Sequence, residues 1–379
     1  MMTHMPDQRE AARSESGLSG IPNLDAVERI LVCQQRQIGD VVLSTPAIEL
    51  LARRFPKAQI HVFTEQKCAP VLENNPHVHV VWPVNKKALP TLLHEFAFYR
   101  KIAARNFDLL VDFQQLPRCR AVAALSRAPV RLSFPPRWLL RPLYTHWVRP
   151  KPAYAAAYKA GVLEPLGIRW QGERPRLYLT DEERASAETL LDSLGLGGRP
   201  FISVDATQRR FTRRWPARHF AALMDMIAAE MPDAHFFLPY GPGEEDAVNA
   251  LRDLCACKVR VAVSPLRLSL RESSACIERA CLHLGNCSAP RHIAVALDVP
   301  TFTILGAGGG GCTFPSPEHR DLQANDLMEM PCQPCRNSYS CSAGIPCLEK
   351  LEPRLVLPHV MRHLREHGKG IAPIPPCQD

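Results

Sequence analysis

At 379 residues the chain is long enough for two domains, each with its own core. Its 46 basic and 38 acidic side chains leave a formal charge of +8, which favours an anionic partner without singling out nucleic acid. No apolar stretch approaches the length of a membrane span, and the polar first 28 residues lack the apolar core of a signal peptide.

Ile30-Leu31-Val32-Cys33 reads as a strand buried on both faces. Four polar residues and Gly39-Asp40 follow. From Val41 the spacing turns helical, with Val42, Ile48, Leu51 and Phe55 able to share much of one face and Pro46 an awkward interruption. Strand, glycine-containing turn and helix form the first half of a βαβ unit, and its turn lies at the strand's carboxyl end, where open α/β sheets place their chemistry. Asp40 stands there, either as a helix cap or first-turn acid or as a working carboxylate.

Strands are expected at Ile60–Phe63, at His79–Trp82 (stopped by Pro83) and at Leu109–Val111. Helical segments are expected at Cys68–Leu72 and Leu89–Ala104. The alternation predicts a parallel sheet with crossover helices. Between Phe113 and Leu163 there is no acidic residue, while Arg118, Arg120, Arg127, Arg131, Arg137, Arg141, Arg149, Lys151 and Lys159 are basic. Trp138, Leu139, Leu140, Leu143, Tyr144 and Trp147 are mixed among them. Such a segment is either a solvated face beside a core or a surface for an anionic, partly apolar partner. RNA fits the content less well, because no nucleic-acid module accompanies it.

Gly172–Arg176 suits a linker, and Thr180–Leu194 reads as a capped helix. A second alternation follows. Its strands are expected at Phe201–Val204, His235–Leu238, Val259–Val261, Leu282–Leu284 and Thr301–Leu305. Its helices run from beyond Trp215-Pro216 to Met231 and over Glu244–Leu254, Arg271–Arg279 and His292–Leu297. Three loops gather at the carboxyl ends of these strands. One holds Thr207, Arg209, Arg210, Arg213 and Arg214, another is Tyr240–Glu245, and the third is Gly285–His292, with Gly306–Gly311 one strand later. Arginines and glycine-exposed amides beside helix N-termini are what a diphosphate needs. The glycine run lacks the Gly-Lys-Ser/Thr ending of a P-loop.

GDVVLSTP at Gly39–Pro46, RRWP at Arg213–Pro216, the YGPGEE loop and GNCSAPRHIAVAL at Gly285–Leu297 resemble glycosyltransferase family 9, the ADP-heptose:lipopolysaccharide heptosyltransferase family. The resemblance spans about Arg29 to His367. It implies an α/β protein of GT-B fold, with two Rossmann-like domains and parallel sheets facing a central cleft. The domains are expected at 29–171 for the acceptor and 172–350 for the nucleotide sugar. Flexible tails are expected at 1–28 and 368–379, and a closing helix at 351–367 that returns to the first domain.

The implied activity is inverting, metal-independent transfer of heptose from ADP-heptose to the inner core of lipopolysaccharide, with no cofactor. The implied place is the cytoplasm, in peripheral contact with the inner membrane. Asp40 matches the family's proposed general base and Arg213 the basic residue on the donor diphosphate. Thr207, Arg209, Arg210, Glu244, Glu245, Asn286, Cys287, Ser288, His292 and Gly306 fall on the donor side. Arg36, Gly39, Arg118, Arg120, Arg137 and Arg141 are expected to meet an anionic glycolipid acceptor. Cys287 stands where the family has an aspartate that helps hold the sugar, and Ala289 replaces a glycine. Two alternatives follow from these changes: a member using another nucleotide sugar in glycan assembly, or a catalytically impaired sugar-binding protein.

Of 14 cysteines, Cys33, Cys68, Cys255, Cys276 and Cys281 lie in apolar periodic segments and read as small core hydrophobes in a reducing compartment. Cys332, Cys335, Cys341 and Cys347 read as free or reversibly paired thiols, with a structural zinc site as the weaker alternative.

Overall fold

In the computed structural model the described residues are 26–370 apart from 309, 310, 334 and 336–338. Most of the two expected tails, 1–25 and 371–379, therefore lies outside the described residues. The chain divides into two compact units between Tyr178 and Leu179.

The first unit is built around β1 (Arg29–Cys33), whose Ile30 to Cys33 are completely buried. A run apolar at successive positions must cover both faces, which places it inside a parallel sheet. The expected single helix after it is two, α1 (Ile38–Val42) and α2 (Thr45–Arg54). The break falls at Leu43-Ser44 and puts Pro46 in the first turn of α2, where the absent N–H has no helical partner to lose.

β2 (Gln59–Glu65) and β3 (Val80–Val84) follow. The latter runs through Pro83 instead of stopping before it, because β3 is an edge strand and its outer side has no ladder to satisfy. α3 (Leu92–Ala103), capped by Thr91, leads to β4 (Leu109–Asp112). The basic, proline-broken stretch beyond holds α4 (Pro117–Leu125), β5 (Val130–Ser133), β6 (His146–Trp147) and α5 (Ala155–Ala160), which the sequence pattern did not reveal. The parallel order is β3-β2-β1-β4-β5-β6.

The expected linker, Gly172–Arg176, belongs with the first unit. Arg176 N–H donates to Thr45 Oγ1 at 2.9 Å, and Arg53 Nη1 lies 3.4 Å from Glu173.

The second unit opens with α6 (Asp181–Ser193), whose Thr180–Glu183 capping box is the one its sequence predicts. Then come β7 (Phe201–Asp205), α7 (Ala217–Glu230), β8 (His235–Leu238), α8 (Glu245–Leu254), β9 (Val261–Val263), α9 (Leu270–Glu278), β10 (Leu282–Asn286), α10 (Ala289–Ala296), β11 (Thr301–Leu305) and β12 (His319–Gln323). β9 begins two residues later than expected because Lys258–Arg260 form a 3-10 turn. The helix expected from His292 starts at Ala289, with Pro290 in its first turn. α11 (Pro346–Glu349) and α12 (Pro353–His367) close the chain. Val356, Val360, Met361 and Leu364 bury the apolar face of α12 in the core of the second unit, against α7.

The second sheet has the order β12-β11-β10-β7-β8-β9, the same winding as the first. In each, successive strands leave the centre in opposite directions from one pair, β1/β4 and β7/β10. Those two switch points are where a doubly wound sheet opens a crevice at its carboxyl edge.

Candidate active site

At the first switch point Cys33 pairs with Asp112 across β1 and β4. Asp112 is fully buried and accepts the Tyr144 hydroxyl at 2.7 Å and the N–H groups of Gln114 and Gln115. Burial pushes its carboxyl up, against those donors. Gln114 then fixes the β1–α1 turn. Its Oε1 accepts the N–H of Gln35 at 2.9 Å and of Arg36 at 2.8 Å, and its Nε2 donates to the Arg36 carbonyl.

Asp40 occupies the first turn of α1, and its Oδ2 accepts the Gln37 N–H at 3.2 Å in a capping box. Asp40 is therefore a first-turn, capping acid as far as one oxygen goes. The other oxygen, Oδ1, lies 3.7 Å from Lys159 Nζ, and the side chain is 45% exposed. Lys159 comes from α5, is buried, and donates to Gln34 Oε1 at 2.9 Å. Burial lowers its pKa, with the Asp40 charge opposing. The result is a carboxylate held at one oxygen, open to solvent, and faced by a buried cation that Gln34 also holds.

The residues expected to meet the acceptor separate into groups. Gly39 is buried beside Asp40. Arg36 Nε lies 3.0 Å from Glu65, and Arg118 donates to Glu95 at 2.7 Å and to the Tyr99 hydroxyl at 2.9 Å. Arg120 is half-buried, and its charge acts on Asp112. Arg137 and Arg141 are exposed, with the Arg141 guanidinium 5.7 Å from the Trp147 ring centre.

At the second switch point Gly285 of β10 pairs with Asp205 of β7. A Cβ on Gly285 would meet the Asp205 carbonyl at 2.6 Å, so only glycine lets these strands approach. Asn286 ties the two loops: its Oδ1 accepts the Trp215 N–H at 2.9 Å and its Nδ2 donates to the Ala206 carbonyl at 3.0 Å. Asp205 receives the Ser288 hydroxyl on one oxygen and the Thr207 hydroxyl on the other, at 3.2 Å. Complete burial pushes its carboxyl up to about 7; the nearby Glu244 charge adds to this, and the two hydroxyls oppose it. Glu244 closes its own loop by accepting the Gly241 N–H at 2.7 Å, whereas Glu245 is exposed at the start of α8.

Arg213 donates to the Gly308 carbonyl at 3.1 Å, and Ala307 N–H to the Thr212 carbonyl at 2.9 Å, which draws the loop after β11 to the loop after β7. Gly306 is the contact point, where a Cβ would run into that carbonyl. Arg210 lies 4.1 Å over the Tyr339 ring and donates to its hydroxyl; Arg209 is exposed. His292 is buried and held neutral, its pKa lowered to about 3 by burial and by Arg291.

Cys287 is buried at the β10–α10 turn. Its thiol is hydrogen-bonded with Cys312 and lies 3.7 Å from Arg291 Nη1. Cys312 and the Arg291 and Arg213 charges pull it down against the effect of burial. Arg291 is wholly buried and also reaches Thr313 and, at 3.8 Å, Asp321.

Sequence reasoning had left Gln114, Asp205, Arg291 and Cys312 without roles and had counted Lys159 only among the basic residues of the segment after Phe113. Asp205 directly follows an expected strand and Arg291 sits inside a quoted motif, so both could have been nominated. Nothing local marks Lys159 in its alanine-rich helix.

The C-terminal cysteines do not meet at metal-ligand spacing. Cys332 is exposed, Cys335 and Cys341 are half-buried and Cys347 is buried, and no three of them bring sulfurs within 4.8 Å of one another. Among the described residues that spacing is met only by Asp225, Cys255 and Cys257, where both Asp225 oxygens already accept backbone N–H groups. Also among the described residues, no helix is long and apolar enough to cross a membrane.

The model of glycosyltransferase family 9 (heptosyltransferase) matches residues 96–343. The chain belongs to this family. As a member it is a glycosyltransferase. Lipopolysaccharide heptosyltransferase 3 of Escherichia coli is 26% identical over 278 residues, covering 71% of this chain and 81% of that protein. Among solved structures, E. coli ADP-heptose lps heptosyltransferase II aligns with a TM-score of 0.70 at 18% identity, over 89% of this chain and 99% of that one. E. coli heptosyltransferase WaaC with ADP-2-deoxy-2-fluoro heptose aligns with a TM-score of 0.63 at 20% identity, over 88% and 99%. The structural likeness shows the GT-B fold.

Proposed function

We propose that this family 9 enzyme transfers a heptose from ADP-heptose to the inner core of lipopolysaccharide with inversion, using Asp40 as general base and needing no metal. Asp40 carries the reading: a half-exposed carboxylate at a switch point, with one oxygen in the helix cap and the other beside Lys159. In the transfer an acceptor hydroxyl oxygen bonds to the anomeric carbon while its proton passes to Asp40. The bond from that carbon to the diphosphate oxygen breaks on the opposite face, and ADP departs with the electron pair. Arg213 and the loop amides around Ser288 and Gly306 stabilise the negative charge that grows on the diphosphate. Thr207, Asn286, Ser288 and His292 shape the donor pocket. Family membership and the ADP-sugar carried by a structural neighbour support this donor. The acceptor is lipid-borne, so the enzyme works at the cytoplasmic face of the inner membrane by peripheral contact.

Calorimetry with a panel of nucleotide sugars, followed by turnover on a heptose-deficient lipopolysaccharide core, tests the proposal. ADP-heptose should bind most tightly and be the donor that is consumed. Cys287 favours a second reading, because a thiol replaces the family's aspartate near the sugar end of the donor. Preference for a different nucleotide sugar in the same panel would establish that reading. Tight binding with no turnover on any acceptor would instead indicate an impaired, sugar-binding member.

A further inference from the structure

The first unit carries a concentrated apolar surface. On α3, Leu92, Leu93 and Phe96 are 84%, 79% and 49% exposed. Their spacing sets them on one stripe of the first turns; Tyr99, two turns on and nearly in line with Leu92, enters the core with Ile102 and with Cys119 and Val122 of α4, so only the first turns of α3 present this stripe to solvent. In the 3-10 turn Trp138–Leu143, Trp138 and Leu139 are 71% and 64% exposed.

These two elements share an edge and a face. α3 follows β3 and the turn follows β5, and the strands are parallel members of one sheet, so both elements begin at its carboxyl edge, as Asp40 does. Tyr144, just after the turn, lies in the same core cluster as α3 and α4. Exposed cations frame the apolar groups: Lys86 and Lys87 precede α3, Arg100 continues its stripe, and Arg137 and Arg141 flank Trp138. The acid within α3, Glu95, is paired with Arg118.

We propose that this surface docks on an anionic bilayer. Leu92, Leu93, Phe96, Trp138 and Leu139 insert at the headgroup boundary, and the surrounding lysines and arginines pair with lipid phosphates. Apolar and aromatic groups ringed by cations suit that boundary, where tails take the first and phosphates the second. A second copy of the chain suits it poorly, since an isologous contact would bring the same cations together. The inference deepens the proposed function, resting on it only in that the acceptor is lipid-borne.

The test is co-sedimentation of the full chain with phosphatidylethanolamine–phosphatidylglycerol vesicles that contain no glycolipid, across a salt series. Wild type should bind these and not neutral phosphatidylcholine vesicles. L92S/L93S/F96S should lower partitioning about tenfold or more at every salt. R137E/R141E should lower it most at low salt, with the difference shrinking as exposed charges are screened over about 8 Å at physiological ionic strength. Lipids with brominated acyl chains should quench wild-type tryptophan fluorescence, and W138F should lose most of that quenching.

An unchanged circular-dichroism spectrum and thermal unfolding profile certify that the triple variant is folded; if they change, L92S and L93S singly must each show an intermediate fall in partitioning. Failure of wild type to bind, or a folded triple variant that sediments like wild type, overturns the proposal. So does a dimer seen by light scattering that the triple variant abolishes while vesicles go unbound, which would assign the patch to self-association. Turnover on a lipid-free core oligosaccharide separates the two readings. It should survive in the triple variant, and its absence in wild type that still binds vesicles would count against the proposed function alone.

Discussion

Lys159 Nζ lies 3.7 Å from Asp40 Oδ1 and 2.9 Å from Gln34 Oε1, so a buried ammonium of α5 reaches both ends of the β1–α1 turn. Burial opposes its charge and the Asp40 carboxylate supports it. The pair gives the proposed base a fixed orientation without covering it. D40N keeps the shape of the turn and removes the proton acceptor. Turnover should fall by about two orders of magnitude or more while donor affinity stays within a few-fold. Unchanged turnover would remove Asp40 from the mechanism.

K159M tests the same contact from the other side. Replacing the ammonium with an apolar chain of similar length removes its desolvation cost but leaves the buried Gln34 Oε1 without its donor, and the two effects oppose each other. The depressed lysine pKa means that its contribution to stability is present at high pH and is lost as pH falls through the folded-state pKa. K159M should therefore melt within a few degrees of wild type at pH 7, yet turn over about tenfold more slowly because Asp40 is no longer held. A cycle of D40N, K159M and the double variant decides the route. If the two effects on turnover simply add, Lys159 does not act through Asp40.

Arg213 is proposed to meet the donor diphosphate. R213A should weaken both ADP and intact donor about tenfold or more in calorimetry and also slow transfer, because its charge matters more as the diphosphate departs. Equal affinities in mutant and wild type would move the assignment to Arg209 or Arg214; Arg210 is already turned toward Tyr339.

Asp205 supplies a pH test that needs no substrate. Burial raises its carboxyl from 3.8 to about 7, so the folded state holds a proton that the unfolded chain has released. Its contribution is complete below pH 3.8 and is lost as pH rises through about 7. Wild-type melting temperature should carry a downward component between pH 5 and pH 8. D205N, which cannot ionise, should flatten that component; a slope identical in both proteins would show that Asp205 is already ionised at pH 5.

The α/β class, the repetition of one architecture and the place of Asp40 were all legible in the sequence. These depend on periodicity, caps and glycine turns, which act over a few residues. Ile30 to Cys33 read as an inner strand, Thr180–Leu194 read as a capped helix, and the motif from Gly285 to Leu297 fell between an expected strand and an expected helix. The region between Phe113 and Leu163 resisted for the same reason. Its strands are short and its helix faces weak, and they are helped into place by long-range partners such as Asp112 with Tyr144.

Only the tertiary structure decided what each charge meets. Composition counts Arg36, Arg118, Arg137 and Arg141 alike, but the first two are paired with Glu65 and Glu95, while the last two are exposed, Arg141 with its guanidinium over the Trp147 ring. It also decided that Lys159 stands beside Asp40, that Asn286 joins two loops through Trp215 and Ala206, and that Cys287 meets Cys312 under the Arg291 guanidinium. Each of these pairings joins residues from different strand ends of one sheet. Strand order and register set them, and order and register emerge only when distant segments bury their apolar faces together.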